Sequence, residues 1–172
     1  MKSVRHFGYI LLLSISIFSC QKEDLSSRDD ANGGSGNNSK YNVDQSLLLG
    51  LVNQVRQSGC NCGTTAMPPV APLAWNDLLA QVALDHSLDM ETYNYFAHNN
   101  LQGKTPGDRI TEAGYHWKTF GENIAMGYGS EQAVMSGWLN SEGHCRNIMG
   151  KDFVEIGVGR SGNYWTMDLG AR

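Results

Sequence analysis

A run of small polar residues near the N-terminus limits how much of this 172-residue chain can fold. Residues 31–39 read Ala-Asn-Gly-Gly-Ser-Gly-Asn-Asn-Ser, within a segment from 21 to about 42 that is rich in Ser, Asn, Gly and Asp. Such a segment cannot bury enough apolar surface to offset the entropy lost on ordering, so it predicts a flexible tether. About 130 residues remain, which is enough for one domain with its own core.

The first nineteen residues predict an export signal. Lys2 and Arg5 are followed by an apolar run, Phe7 to Phe18, that is too short for a stable membrane anchor. The small residue directly before Cys20 resembles the bacterial lipobox, in which the peptide is cut before that cysteine and lipid is attached to its sulfur. An ordinary signal peptide with an incidental cysteine is the alternative.

The residues after Cys20 leave the final location open. The sequence Gln-Lys-Glu-Asp at positions 21–24 resembles the surface-export signal of Bacteroidetes lipoproteins, or it is simply a charged part of the tether. We expect an exported lipoprotein of the outer membrane, facing either the periplasm or the cell surface. The predicted parts are a signal peptide (1–19), the lipidated cysteine with its tether (20–42) and one domain (43–172).

The charge of the exported chain argues against one class of partner. Without Lys2 and Arg5, 11 basic and 17 acidic side chains remain, so the net charge is near −6. No cluster of basic residues is present, and nucleic acid is therefore not an expected partner. The expected partners are the membrane, through lipid on Cys20, and an extracellular ligand or protein; we expect a monomer.

Hydrophobic periodicity predicts helices first and a hairpin last. The helices are expected at 43–58 with Asp44 as N-cap, at about 76–93 with Asn76, from Thr105 to Gly114, and at 130–140 with Ser130. Gly143 is interpreted as the C-terminal residue of the last helix. Residues 117–126 predict a short strand, while 153–160 and 164–169 predict a hairpin. The order indicates an α+β domain with helices packed on an antiparallel sheet.

Several polar residues are expected to be structural. His86 falls on the apolar face of the second helix, where a histidine is more often a hydrogen-bonded core residue than a ligand. Asn123 and Asn147 are expected to bond backbone groups.

Seven segments resemble, in order, the CAP superfamily of cysteine-rich secretory proteins, antigen 5 and pathogenesis-related 1 proteins, also called SCP-like domains. They are Pro72–Asn76, Ala83–Met90, Phe96–His98, Ala113–Tyr115, Gly121–Ala125, Gly143–Met149 and Glu155–Gly159. The resemblance covers roughly residues 45–170. It implies a three-layer α-β-α sandwich, with helices on both sides of a small antiparallel sheet.

The resemblance also implies a cleft lined by two histidines and two glutamates. His98, Glu122 and His144 match three of these positions, but Ser141 stands where the second glutamate is expected, and neither Glu131 nor Glu142 matches it. Two imidazoles and a carboxylate are suitable ligands for Zn²⁺ or another divalent cation, and three protein ligands leave a position open for water. If the protein is catalytic, the same three residues are the candidates.

Three cysteines remain once Cys20 is assigned to lipid. Similar bacterial sequences imply a Cys62–Cys145 disulfide, with Cys60 as the alternative partner. An odd number leaves one thiol over or paired outside the chain.

Three hypotheses for function follow. The resemblance favours a binding or interaction module, because members of the family are mostly secreted, mostly lack an agreed catalytic activity, and in some cases are linked to lipid or sterol binding. A metal-dependent hydrolase or peptidase of the envelope is the second hypothesis. A structural envelope protein, in which the three residues are only a polar cluster, is the third.

Overall fold

The computed structural model describes residues 40–172; the predicted signal peptide, Cys20 and nearly all of the tether lie outside the described residues. The helices are α1 (Gln45–Ser58), α2 (Asp77–Tyr93), α3 (Pro106–Glu112), α4 (Glu131–Asn140) and α5 (Glu142–Ile148). The strands are β1 (Cys60–Cys62), β2 (Thr65–Met67), β3 (Ala74–Trp75), β4 (Thr119–Met126), β5 (Glu155–Ser161) and β6 (Tyr164–Ala171). Within residues 40–172, none of the helices has both the length and the apolar character needed to cross a bilayer.

The central sheet has the strand order β3-β5-β6-β4. The predicted hairpin is confirmed as β5 and β6, and β4 pairs antiparallel with β6 at the edge of the sheet. The sheet is antiparallel as expected except at one edge, where β3 adds to β5 in parallel through two residue pairs. A strand of two residues carries no alternation of its own, so the sequence pattern could not reveal it.

Helices cover both faces of the sheet, which confirms the sandwich architecture. Helix α2 packs closely on β5, where a Cβ at Gly157 would lie 2.0 Å from the backbone nitrogen of Ala80. Only glycine allows the two backbones to approach so closely. On the other face, the buried side chains of β6, such as Trp165, form the main core with buried residues of α1 and α4, such as Leu48 and Trp138.

The four predicted helix starts are confirmed. Asp44, Asn76, Thr105 and Ser130 each accept a hydrogen bond from a backbone N–H in the first turn of α1, α2, α3 and α4. Such bonds satisfy donors that have no partner within the helix.

The interpretation of Gly143 as the end of a helix is wrong. Helix α4 ends at Asn140, and Ser141 is both its C-cap and the N-cap of α5, which contains Gly143. Nothing lies within 4 Å of a Cβ placed on Gly143, so no packing requires glycine at this position. The two helices are therefore separated by one residue, and His144 lies inside the second of them.

The packed domain begins slightly earlier than the predicted boundary at residue 43. Tyr41, assigned above to the tether, is 3% exposed and belongs to the main core. Its carbonyl accepts a hydrogen bond from the backbone N–H of Arg160, and the side chain of Asn42 donates to the carbonyl of the same arginine.

A buried arginine of α1 fixes the chain that follows α5. Arg56 is fully buried and donates to the carbonyls of Ala71, Ile148, Gly150 and Phe153 at 2.6–3.3 Å. These bonds satisfy the guanidinium without a carboxylate partner. They also hold the end of α5, and so the helix that carries His144, against α1.

Candidate functional site

Glu122 is the buried centre of the predicted site. It lies in β4 on the face covered by α2 and α3, and its side chain is 2% exposed. One oxygen, Oε1, is 2.7 Å from Nδ1 of His98 in the loop after α2. The other, Oε2, accepts a hydrogen bond from Nη2 of Arg109 in α3. Two of the three predicted residues are therefore in direct contact, and both carboxylate oxygens are engaged.

Arg109 belongs to this site, and the sequence analysis missed it. Its Nη1 donates to the carbonyl of His98 at 2.8 Å and to that of Lys104 at 3.3 Å. The guanidinium thus fastens the loop between α2 and α3 to Glu122. The capping box of Thr105 and Asp108 aligns the first turn of α3 and so positions Arg109. The sequence showed this helix start but not the long-range contact.

Asp168 is a second acidic residue that the sequence analysis missed. It is the cross-strand partner of Glu122 in the β4–β6 ladder and is completely buried. Among the described residues, no N–H or O–H group donates to either of its oxygens. Burial, and then the neighbouring charge of Glu122, raise the pKa of Asp168 well above its usual range. The buried position of Asp168 therefore disfavours its ionised form.

His144 approaches the same strand from the opposite side. Its carbonyl accepts a hydrogen bond from the side chain of Asn123, and Asn147 donates to the carbonyl of Glu122. The expected structural role of both asparagines is confirmed. Burial lowers the pKa of His144, and the charge of His98 lowers it further.

The three predicted residues do not form a compact set of ligand atoms. Among residues 40–172, only the sulfurs of Cys60, Cys62 and Cys145 form a group of three potential metal-ligand atoms within 4.8 Å of one another. His98 and Glu122 are in contact, and His144 is their neighbour across β4.

The place of the missing second glutamate is at the junction of α4 and α5, where Ser141 lies half-buried. The two nearby acids are engaged elsewhere. Glu131 accepts a bond from the backbone N–H of Asp44, and Glu142 pairs with Arg146. Neither replaces the absent carboxylate.

The Cys62–Cys145 disulfide is confirmed. It joins β1 to α5 with a Cα–Cα distance of 5.4 Å, and both cysteines are fully buried. The sulfur of Cys60 lies 3.7 Å from that of Cys145. Because Cys145 directly follows His144, the bridge also restrains the second histidine.

His86 is a core residue, as expected. It is 1% exposed, and Nε2 lies 3.0 Å from the carbonyl oxygen of Ala97, to which it donates. Burial lowers the pKa of the imidazole, which favours its neutral form.

Comparisons with known proteins agree with this architecture. Two Bacillus subtilis proteins are similar over 100 residues: the uncharacterized membrane protein YlbC, at 38% identity over 58% of this chain, and YkwD, at 41% over 57%. The matched regions are only 29% and 39% of those relatives, so the chain spans well under half of their length.

Solved structures show the same fold. One is an extracellular protein containing an SCP domain, from Bacillus anthracis, with 32% sequence identity and a TM-score of 0.66. The match covers 74% of this chain and 40% of the Bacillus anthracis chain. Another is an outer surface protein from Borrelia burgdorferi, with 22% sequence identity and a TM-score of 0.64. The match covers 74% of this chain and 91% of the Borrelia burgdorferi chain. The model of the cysteine-rich secretory protein family, CAP, matches residues 49–168. The chain therefore belongs to the cysteine-rich secretory protein (CAP) family.

Proposed function

We propose that this protein is an exported binding protein whose cleft, around His98, Glu122 and His144, holds a divalent cation or a small ligand. The observation that carries the proposal is the contact of 2.7 Å between Nδ1 of His98 and the buried carboxylate of Glu122. Because a carboxylate can only accept, Nδ1 carries the proton, and in the neutral form of the ring the lone pair is on Nε2. Metal-binding histidines are commonly oriented by a carboxylate in this way.

The contacts divide the roles among the three residues. Both oxygens of Glu122 are engaged, and the positive charge of Arg109 opposes a cation bound directly to that carboxylate. We therefore assign the ligand atoms to His98 and His144, and to Glu122 the task of orienting His98. A cation bound there would polarise a water or ligand oxygen that it coordinates.

A binding role fits the cleft better than hydrolysis. A hydrolase needs a general base within reach of the water it activates. Glu122 is held by His98 and Arg109, and Ser141 occupies the position of the second glutamate. The residues that would orient a ligand are therefore present, while both oxygens of Glu122 are already engaged by His98 and Arg109.

Export and anchoring complete the proposal. The N-terminal sequence up to Cys20 supports a lipid-anchored protein of the outer membrane. The similar structures include an extracellular protein and an outer surface protein, which supports a location outside the cytoplasm. The partner would then be an extracellular ligand or protein, bound by a monomer.

The experiment is a thermal unfolding series on the full-length protein in an uncharged detergent, with EDTA, Zn²⁺ or Ca²⁺. A metal present at 100 times its Kd should stabilise the domain by about 2.7 kcal/mol. The stabilisation should be lost in His98→Ala and in His144→Ala. It should persist in His116→Ala, because His116 is exposed and none of its hydrogen bonds reaches His98 or Glu122.

Two outcomes would contradict the proposal. A metal-induced shift that survives in both cleft variants would place the metal elsewhere. No shift with any metal, together with a large loss of stability in both variants, would support the structural alternative. That alternative has its own support, because Glu122 already connects β4, α3 and the loop that follows α2.

A further inference from the structure

Three sulfur atoms lie together where β1 packs against α5. The sulfurs of Cys60, Cys62 and Cys145, here called the sulfur cluster, are all within 4.8 Å of one another. Cys60 and Cys62 are two positions apart in β1, so their side chains leave the strand on the same side. Cys62 is bonded to Cys145, while Cys60 lies outside that bridge with its sulfur 3.7 Å from the sulfur of Cys145. The cluster is separate from the cleft, and the proposed function does not use it.

The spacing of the sulfurs suits a shared metal ion. Two thiolates that are each about 2.3 Å from one ion lie roughly 3.8–4.0 Å apart, in tetrahedral or in planar three-coordinate geometry. The separation of 3.7 Å between the sulfurs of Cys60 and Cys145 is close to this value. In the bridged form, the sulfurs of Cys62 and Cys145 are bonded to each other and cannot act as thiolates. The cluster can therefore hold an ion only after the bridge is reduced.

The surroundings of the sulfur cluster are apolar and contain further sulfur residues. Cys62 and Cys145 are fully buried and pack with the buried Met149, and Met67 packs against the same group. The other neighbours are aliphatic: Val55, Val70 and Leu139. Sulfur ligands select soft ions such as Cu(I) or Zn²⁺, whereas Mg²⁺ and Ca²⁺ take oxygen ligands.

The number of ligands distinguishes between the soft ions. A structural Zn²⁺ site is closed by four protein ligands. Among residues 40–172, no histidine, carboxylate or fourth cysteine joins the three sulfurs of the cluster. Cu(I) is a soft ion that is stable with three sulfur ligands, so the set matches Cu(I) better than Zn²⁺.

A buried positive charge lies close to the cluster. Arg56 is fully buried and, within residues 40–172, forms no ion pair with a carboxylate. It donates to the carbonyls of Ile148 and Gly150, which flank Met149 in the chain. Ile148 lies one turn of α5 beyond Cys145. The guanidinium is thus positioned to offset part of the excess negative charge of three thiolates around one Cu(I).

Other contacts keep the three cysteines together when the bridge is open. Strands β1 and β2 pair through three residues each. On either side of this hairpin, the backbone N–H groups of Gly59 and Val70 donate to carbonyls in the last turn of α1 at 2.9 and 2.8 Å. On the side of α5, Arg146 donates to the hydroxyl of Thr65 at 2.7 Å. The partly exposed Cys60 gives an ion access to the cluster.

We propose that Cys60, Cys62 and Cys145 bind one Cu(I) ion as three thiolates when the disulfide is reduced. The reductant is a small dithiol, which transfers two electrons and two protons to the bridge and leaves as a cyclic disulfide. Cys62 and Cys145 thereby become thiols. The three thiols then release their protons to solvent as the copper, supplied as Cu(I), binds. The oxidised protein contains the bridge, and the reduced protein contains the ion.

The test is a competition for Cu(I) under nitrogen, with the full-length protein in an uncharged detergent. The protein is reduced with dithiothreitol, which is removed by gel filtration, and Cu(I) is supplied as its coloured complex with bicinchoninate. The reduced protein should take one equivalent of Cu(I), measured by the loss of absorbance of the complex. The protein with its bridge intact should bind Cu(I) more weakly by about tenfold or more, because two of the three thiolates are then missing. X-ray absorption at the copper edge should show three sulfur ligands.

Matched cysteine variants test the assignment of ligands. Substitutions behind a metal ligand already cost roughly 10–100-fold in affinity, so loss of a ligand in Cys60→Ser should cost about a hundredfold or more. This variant keeps the Cys62–Cys145 bridge for folding. Cys20→Ser makes the same change outside residues 40–172 and should leave one equivalent bound. Neither change should alter the Zn²⁺-dependent stabilisation of the oxidised protein, so this site can fail without the cleft failing.

A melting experiment covers the case in which reduction loosens the domain. An ion that binds only the folded chain adds its binding free energy to the free energy of unfolding. One equivalent of Cu(I) should therefore raise the melting temperature of the reduced protein. The rise should be largely lost in reduced Cys60→Ser.

Three results would overturn the inference. The first is a reduced protein that takes no Cu(I) from bicinchoninate and shows no rise in melting temperature with Cu(I). The second is equal affinity for Cu(I) in the reduced parent protein and in reduced Cys60→Ser. The third is an X-ray absorption spectrum dominated by nitrogen or oxygen ligands, which would place the ion outside the sulfur cluster.

Discussion

The disulfide gives a prediction whose size follows from the structure. Cys62 and Cys145 are 83 positions apart, so the bridge closes a loop that includes α2, α3, β4 and α4. In the chain-entropy model, a loop of this length stabilises the folded state by about 4.5 kcal/mol. Replacing Cys145 by alanine removes this constraint. For a domain of this size, we expect the melting temperature to fall by about 15 °C.

Cys60 makes the two ends of the bridge unequal. In Cys62→Ala, the sulfur of Cys60 still lies near that of Cys145, at 3.7 Å in the intact protein, and can close a loop of almost the same length. In Cys145→Ala, no such replacement exists near Cys60 and Cys62 among residues 40–172. Each variant loses one buried sulfur, so the loss of packing is matched. The difference between their free energies of unfolding therefore reports on whether Cys60 forms a disulfide with Cys145.

The assay is urea unfolding of both variants under oxidising conditions, with a thiol count on the unfolded protein. We expect Cys62→Ala to retain most of the stabilisation and to contain no titratable thiol from Cys60 or Cys145. A loss below about 1 kcal/mol in Cys145→Ala would refute the entropic argument. Equal losses of stability in the two variants would refute the formation of a replacement disulfide between Cys60 and Cys145.

Two further predictions concern the buried acid and the anchor. Asp168→Asn should raise the free energy of unfolding, and the gain over the parent protein should grow from pH 5 to pH 8. The raised pKa of Asp168 makes the parent protein less stable as the pH rises above the pKa of the same group in the unfolded chain, whereas asparagine does not titrate. Urea unfolding at both pH values checks this prediction, and a gain independent of pH would contradict it. Cys20→Ser should abolish the incorporation of labelled fatty acid and release the protein from the membrane fraction. Metabolic labelling and cell fractionation measure these two effects, and persistent labelling would exclude Cys20 as the lipid site.

Local chemistry explains what the sequence could predict. The caps Asp44, Asn76, Thr105 and Ser130 act on backbone groups two or three residues away, so their signal is contained in a short window. The β5–β6 hairpin is similarly local. The disulfide was implied by the resemblance to the family, because the three cysteines alone allow more than one pairing.

The missed features depend on long-range geometry. Arg109 and Asp168 reach Glu122 through tertiary packing and strand register. Neither contact produces a local sequence pattern around these residues. Helix α5 was missed for a different reason. A glycine near the end of a helical pattern usually indicates termination, but Gly143 continues into a second short helix after a single junction residue, Ser141.

Strand β4 determines whether the two histidines can act together. Side chains alternate along a strand, so Glu122 faces α2 and α3, where it holds His98, while the next residue, Asn123, faces α5 and holds the carbonyl of His144. A shift of one residue in the pairing of β4 would exchange these faces, and the eight pairs with β6 fix the register against it. A group bound by both histidines would therefore link the two helical layers across the sheet edge. Its binding free energy would add to the free energy of global unfolding rather than stabilise one loop, which is why thermal unfolding is a suitable assay for the cleft.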